Sequence, residues 1–506
     1  MKVLFLHTAH PRLNLIAQIQ LEILLEHLNN DDSIFLLPSD KRIVSSQTNY
    51  LTPNFAYYHY DKVYKKTLKI LKKYGEVSDS PGYIENKDVK DLNFIFNSIE
   101  ELKKIKYKDV NIGLGVASSI ISLYRDHFVD VEKYKNEIYR EIIAAISVID
   151  TLEESFSIIK PDLIYVFNGR MSTYSPAIQY CEKNKINFRV FEFTSRYEKY
   201  HILNNAIPHN VSYREQEMKD AWAENNDLEY KTKVSREFFE SQRKGISLME
   251  GSFISYQNEN ELPYFDKNKE IITFFNSSID EFAAVPGWEN YIYVYSDETE
   301  AIWDVCKNFE LDLSKQFILR IHPNLKFLDN TQTRNLEKLK ELTNLIVVTS
   351  TSTISSYSLI DVSDKIITFG STIGIEACYF EKPSILLGLS FFNNLDVAYL
   401  PNSKEELMNL IGDKHLKPRP AKNVHIYGYW WMTFGKEFYL REKQYKPSDL
   451  DPTLLEISLG LIKKIASISL WKRSFKMLID KNTLKKIKNL TYRQAILREL
   501  KPWIKK

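Results

Sequence analysis

The sequence predicts an α/β protein of two doubly wound parallel-sheet domains facing a cleft, with a helical insertion in the first and a helical tail after the second. Three observations carry this. Short apolar runs of strand length alternate with helical patterns over residues 2–38 and 162–193. Five more such runs, most of them separated by helical patterns, fill 270–388. Between the two series lies a polar, helix-prone stretch without strand signal. A chain of 506 residues has room for about three domains of ordinary size.

In order along the chain, KVLFL at 2–6 reads as a strand, a helical pattern follows from about Leu13 to Leu28, and SIFLLP gives a second strand. Strand, helix and strand at that spacing suggest a parallel βαβ start. Residues 56–158 carry long polar helical patterns rich in Lys, Glu and Tyr, and read as an insertion. DLIYVF (162–167) and NFRVFEF (187–193), a dozen helical residues apart, make a second βαβ unit. The strands of the second series are EIITFF from Glu270, FILRI (317–321), LIVVT (345–349), KIITF (365–369) and SILLG (384–388). The chain thus divides into a first domain over 1–225, with its insertion over about 56–158. A connector over 226–267, a second domain over 268–412 and a closing region over 413–506 follow. Both domains are Rossmann-like.

Composition excludes several classes. Fifteen glycines, about 3% against a usual 7%, rule out collagen-like and low-complexity chains. A net charge of +2 gives no reason to expect nucleic acid as a partner. Three distant cysteines, Cys181, Cys306 and Cys378, suggest neither a disulfide framework nor a zinc cluster, and point to a reducing, cytoplasmic setting. The apolar run before His7 is too short for a signal peptide, and no stretch approaches 18 apolar residues, so a membrane role would be peripheral. The bland total hides a split. Residues 461–506 hold 14 basic and two acidic side chains, a net of +12, which leaves −10 on the rest. Trp471, Phe475 and Leu478 interleave with Lys472, Arg473 and Lys476 there, as on an amphipathic helix that meets anionic lipid. The other reading is a helix packed on the body.

Ligands of doubly wound sheets sit outside the carboxyl ends of the strands, so chemistry is sought there. After FILRI, Pro323 stops the strand and aims His322 from the sheet edge, beside Arg320; a His and an Arg there suit a phosphate. After KIITF, Gly370 permits a tight turn and Ser371 or Thr372 caps a helix whose start suits an anion. Gly374 allows close approach, and Glu376, one turn on, can take a ribose diol. This run is neither a P-loop nor GxGxxG, and its spacing suits a nucleotide phosphate without obligatory metal. After EIITFF come Asn276, then Ser277 and Ser278 as phosphate hydroxyls, and Glu281 as a helix-capping acid. In the first domain the strand ends present His7-Thr8-Ala9-His10, Asn168-Gly169-Arg170 and Glu192 to Arg196. Arg170 suits a carboxylate of donor or acceptor. Glu192, inside an apolar strand, is the candidate general base, its alternative being the solvated face of an edge strand. Asn111-Ile-Gly-Leu-Gly115, with Ser118 and Ser119, reads as a structural turn.

Together RIHPN at 320–324, SSYSLIDVSDKIITFGSTIGIEACYFEKPSILLG at 355–388 and FFNSSIDEF at 274–282 resemble bacterial capsule and surface-polysaccharide glycosyltransferases of GT-B fold. The paired His-Pro and Ser-x-x-Gly-x-Glu-Ala features look like those of Kdo- and sialyl-type transferases. The resemblance covers about 270–410, and in the first domain only the NGR turn at 168–170. It implies inverting, metal-independent transfer of a sugar from a nucleotide-sugar donor, CMP-linked by preference, to a glycan or lipid-linked glycan acceptor. His322, Ser371 and Thr372 would stabilise the leaving phosphate, Glu376 would hold ribose, and a carboxylate of the first domain would be the base. No separate cofactor and no metal are implied. Such enzymes work on the inner face of the cytoplasmic membrane, which suits the basic tail. Two alternatives stay open: a nucleotide-sugar 2-epimerase, which shares the two-domain shape, and a non-catalytic glycan-assembly protein.

Overall fold

A computed structural model describes residues 1–7, 13–38, 71–80, 94–194, 199–246, 261–288 and 291–438, with positions 45, 64, 65, 68, 69, 257 and 258 between them. The tail at 461–506, residues Thr8 to His10, the side chain of His7 and Arg196 lie outside the described residues. The chain forms two compact units, Met1–Pro208 with Gly435–Lys506, and His209–Phe434. Among the described residues no helix is long and apolar enough to cross a membrane.

The first unit runs β1 (Lys2–His7), α1 (Leu13–Asn29), β2 (Ser33–Pro38), β3 (Val77–Asp79), α2 (Ile99–Leu102), β4 (Lys106–Tyr107), β5 (Val110–Asn111), α3 (Gly113–Tyr124), α4 (Lys135–Ile159), β6 (Leu163–Phe167), α5 (Ser175–Asn184), β7 (Phe188–Phe193) and β8 (Lys199–Asn204). Its large sheet has the order β8-β7-β6-β1-β2-β3, and a short strand at Lys436–Glu437 adds to the outer side of β8. β3, β2, β1, β6 and β7 are parallel, and β8 is antiparallel to β7. The central strand β6 is buried at all five positions, as a strand covered on both faces must be.

Two features differ from the sequence reading. Residues 56–158 are not helical throughout: β3 extends the main sheet beyond β2, and β4 and β5 pair as a separate hairpin. Helix α4 then buries an apolar stripe from Ile138 to Ile159 and leads directly into β6. The stretch therefore builds the domain's own layers, because its helices carry apolar faces that need the sheet. Second, β7 is not an edge strand, since β8 and Lys436–Glu437 lie beyond it.

The second unit opens with α6 (Val211–Glu224) and α7 (Leu228–Arg243), capped by Asn210 and Asp227. There follow β9 (Glu270–Phe275), α8 (Glu298–Asn308), β10 (Lys315–Arg320), α9 (Thr331–Lys338), β11 (Leu345–Val348), α10 (Ser356–Val362), β12 (Lys365–Thr368), α11 (Ile373–Tyr379), β13 (Ser384–Leu386), α12 (Lys404–Gly412) and α13 (Val424–Thr433). All five strands pair in parallel in the order β11-β10-β9-β12-β13. Alternation along them feeds two cores. Ile272, Phe274, Phe317 and Leu319 pack on one face, and Ile271, Phe275, Ile318 and Ile366 on the other.

The stretch read as connector at 226–267 contributes to this unit too. Phe238 and Phe239 of α7 join Met218 of α6 and Tyr427, Trp430 and Trp431 of α13 in a third core cluster. Gly428 lets α13 cross α7 closely, since a Cβ there would lie 2.4 Å from the Ser235 hydroxyl. At the amino ends of the strands, Glu270 pairs with Lys315 at 3.0 Å and also with Lys365, and both lysines are buried.

Candidate functional site

The order of the second sheet reverses between β9 and β12. That is the switch point of a doubly wound sheet, where loops leaving neighbouring strands run to opposite faces and open a crevice at the carboxyl edge. The β9 loop brings Asn276, Ser277 and Ser278 to this edge, the β10 loop His322, and the β12 loop Gly370, Ser371 and Thr372.

Side chains tie the three loops together. The Ser277 hydroxyl donates to the Phe369 carbonyl at 2.9 Å, which joins the end of β9 to that of β12. Asn276 Oδ1 accepts the His322 amide at 2.8 Å, which joins β9 to β10. His322 Nδ1 in turn accepts the Asn324 amide at 3.1 Å, so a neutral ring carries its proton on Nε2. Asn324 also donates to Glu281, linking that acid to the β10 loop. Ser278 donates to Asp280 at 2.6 Å. Gly370 has φ +99°, and a Cβ on it would come 2.5 Å from the Leu389 carbonyl, so the β12 and β13 loops meet there only because it is glycine. Gly374 lies against Thr368, whose Oγ1 would be 2.7 Å from an added Cβ.

The predicted donor-side residues separate into an outer and an inner set. Thr372 and Glu281 are exposed, and His322, Gly370 and Ser371 half-buried. Ser277, Ser278, Gly374, Arg320 and Glu376 are buried. Arg320, read as a phosphate partner, is engaged elsewhere. Its Nη1 donates to the Thr349 carbonyl at 2.5 Å and its Nη2 to Ser352 at 3.2 Å. It thereby satisfies backbone carbonyls in the loop after β11. Burial lowers its pKa to about 10, so it stays charged at neutral pH. Glu376, read as the ribose ligand, accepts the Tyr357 hydroxyl instead, and burial raises its pKa. Ser371 Oγ accepts the Ile373 amide at 3.3 Å from one residue before the helix cap, and Thr372, the cap itself, makes no side-chain capping bond.

In the first unit, β6 and β7 are neighbours and their ends meet. Asn168, at φ 57°, and Gly169, at φ 80°, turn the chain sharply after β6. The Asn168 amide donates to Glu192 at 2.5 Å, and the Phe193 backbone N–H donates to the same carboxylate at 3.1 Å. Arg170 turns to α3, donating from Nε to Ser118 at 2.8 Å. Ser119 accepts the Ser172 amide at 3.0 Å, and the Ser172 hydroxyl donates to buried Glu141. Gly115 allows this docking, since a Cβ there would lie 2.9 Å from Ser175. The run at 111–115 with Ser118 and Ser119 is thus the seat of the NGR turn. Glu192 and that turn come together through Asn168.

Glu298 and Gln332 are buried polar residues at this edge that sequence reasoning missed. Both lie behind the β9 loop, and Glu298 accepts the Ser277 amide at 3.0 Å. In sequence, Asp-Glu-Thr-Glu before an apolar run signals an ordinary helix start, with Asp297 as its cap. Nothing in that signal marks one of the acids as buried.

No family model and no curated protein matches this chain. Solved structures that resemble it include the β-Kdo 2,4-transferase KpsC of Thermosulfurimonas dismutans. That one is 14% identical over 53% of this chain and 79% of the other, with a TM-score of 0.31. The UDP-GlcNAc 2-epimerase of Neisseria meningitidis bound to UDP-GlcNAc is 11% identical, over 85% of this chain and 96% of the other, at a TM-score of 0.26. S. aureus MnaA with UDP is 10% identical, over 85% and 93%, at 0.28. All three TM-scores lie below 0.5.

Proposed function

We propose that this protein is a glycosyltransferase that takes a sugar from a nucleotide donor, inverting and without metal, for a glycan or lipid-linked glycan acceptor. One observation carries the reading: the switch point of the second sheet gathers a histidine, the hydroxyls of Ser371 and Thr372, the tight turn at Gly370 and the closely packed Gly374 at one carboxyl edge. Such an edge suits a nucleotide phosphate. In the transfer, an acceptor hydroxyl attacks the anomeric carbon, the bond from that carbon to the phosphate oxygen breaks, and the oxygen keeps the electron pair. His322, donating from Nε2, and the hydroxyls of Ser371 and Thr372 meet the charge that forms there. The acceptor proton passes to a carboxylate. The acceptor-side roles read from the sequence are Glu192 as base and Arg170 as partner of a carboxylate, both in the first unit.

The donor is proposed as CMP-linked, because the paired His-Pro and Ser/Thr features at this edge look like those of Kdo- and sialyl-type transferases. A thermal-shift series with CMP, UDP, GDP and CDP tests the binding step, since a ligand of the folded state raises the melting temperature. Stabilisation by CMP supports the reading, and no shift with any of the four overturns it. Candidate nucleotide-sugars incubated without acceptor then separate transfer from epimerisation, because an epimer formed alone would establish the 2-epimerase. Full transfer by His322→Ala would remove His322 from the site.

A further inference from the structure

The β9 loop is held from behind by two side chains on two helices. Glu298 opens α8, Gln332 lies in the first turn of α9, and both are almost wholly buried. Glu298 Oε1 accepts the Ser277 amide at 3.0 Å, and its Oε2 accepts Gln332 Nε2 at 3.2 Å. The same Nε2 donates to the Ser277 carbonyl at 2.8 Å, and Gln332 Oε1 accepts the Ile279 amide at 3.2 Å. Three backbone groups of one loop are thus satisfied by a single Glu–Gln pair. A loop beyond the end of a strand has no ladder partner for these groups, and buried backbone groups must be paired.

The arrangement does not resemble the cheapest way to close a turn. A carboxyl placed in the interior is costly, and burial pushes that of Glu298 up to about 8. The loop it holds carries Ser278, and through Asn276 it fixes the backbone of His322. We infer that Glu298 and Gln332 are positioning residues that set the β9 loop, and with it His322, in the geometry that receives the nucleotide phosphate. This rests on the nucleotide reading of the edge given above. Neither side chain need touch the ligand. Both act through the Ser277 and Ile279 amides.

Full-length wild type, Glu298→Ala, Gln332→Ala and Glu298→Gln are compared by two measurements on the same samples. Amide hydrogen exchange is followed in peptides spanning 274–282, and CMP and UDP are titrated calorimetrically. The alanine variants should exchange the loop amides at least about tenfold faster and bind nucleotide about tenfold more weakly, as expected for buried hydrogen bonds lost. Glu298→Gln keeps an acceptor for the Ser277 amide but turns an N–H toward Gln332 Nε2, and should stay within about fivefold of wild type in both. Unchanged exchange in the alanine variants overturns the inference. So does faster exchange with unchanged affinity, because the loop would then not matter to the ligand. A wild type that binds no nucleotide overturns the reading of the edge itself, and shows before any variant is compared. Should Glu298→Ala fail to fold, Gln332→Asn, one methylene shorter, carries the same expectation.

Discussion

Glu298 should make the stability of the second unit fall as pH rises, and Glu298→Gln should remove that fall. The carboxyl titrates near 4.5 in an unfolded chain and near 8 in the folded protein, because burial disfavours its charged form. Between these values the folded state holds a proton that the unfolded state has released. Stability therefore drops with rising pH and levels off above about 8. Each pH unit is worth about 1.4 kcal/mol, so three units from pH 5 to 8 give a ceiling of about 4 kcal/mol. Glutamine is neutral throughout. It also presents an amide N–H to Gln332 Nε2, a loss of about 1 kcal/mol that does not vary with pH. Wild type should accordingly be the more stable at pH 5 and the variant at pH 8. Urea unfolding read by tryptophan fluorescence is a suitable assay, since five of the seven tryptophans lie in 209–434 and none in 1–208. A gap between the two proteins that changes by less than about 1 kcal/mol over this range would refute the placement of Glu298 as a desolvated acid.

Four further outcomes follow. His322→Ala should cost transfer about 100-fold or more, with the melting temperature nearly unchanged, as for loss of a donor to developing charge. Glu270→Ala leaves the buried Lys365 ammonium without its carboxylate, while Lys315 keeps Asp312 at 3.2 Å, and should destabilise by about 3 kcal/mol, measured by urea unfolding, while nucleotide affinity stays the same. Gly370→Ala meets both a φ of +99° and a carbonyl 2.5 Å from its Cβ, so a loss of about 2 kcal/mol or more and weaker nucleotide binding are expected from thermal shift and titration. Deletion of 461–506 removes a net charge of +12 and should abolish co-sedimentation with anionic liposomes; unchanged binding would show that the tail makes no such contact.

The strands of the second unit were legible because a parallel sheet covered on both faces needs near-continuous apolar runs, and EIITFF, KIITF and SILLG are such runs. The strand Val77–Asp79 was not, being three residues with little apolar content at the edge of the sheet. KYHILN at 199–204 was missed for a related reason, since its alternation is broken by a lysine and an asparagine at its ends. At the candidate site, His322 and the 370–374 turn were readable from a histidine, a proline and glycines at strand ends. Arg320 and Glu376 sit at the expected strand end and helix turn, yet their side chains go to Thr349, Ser352 and Tyr357. Position along a strand or helix does not reveal which buried carbonyl or hydroxyl lies within reach. Glu298 and Gln332 were invisible for the same reason, as only the folded chain brings both to Ser277.

The strand at Lys436–Glu437 pairs antiparallel with β8, Lys436 opposite Tyr200 and Glu437 opposite Lys199. During synthesis β8 leaves the ribosome long before its outer neighbour exists. At 5–20 residues per second the interval is roughly 10–50 s. Through that time β8 is an open edge, and open edges recruit other strands. The nascent first unit is therefore exposed to mispairing until the whole second unit has been made. Chaperone dependence of expression should be relieved when Lys436–Glu437 is supplied early, as by a circular permutation in which residues 435–506 are made before residue 1.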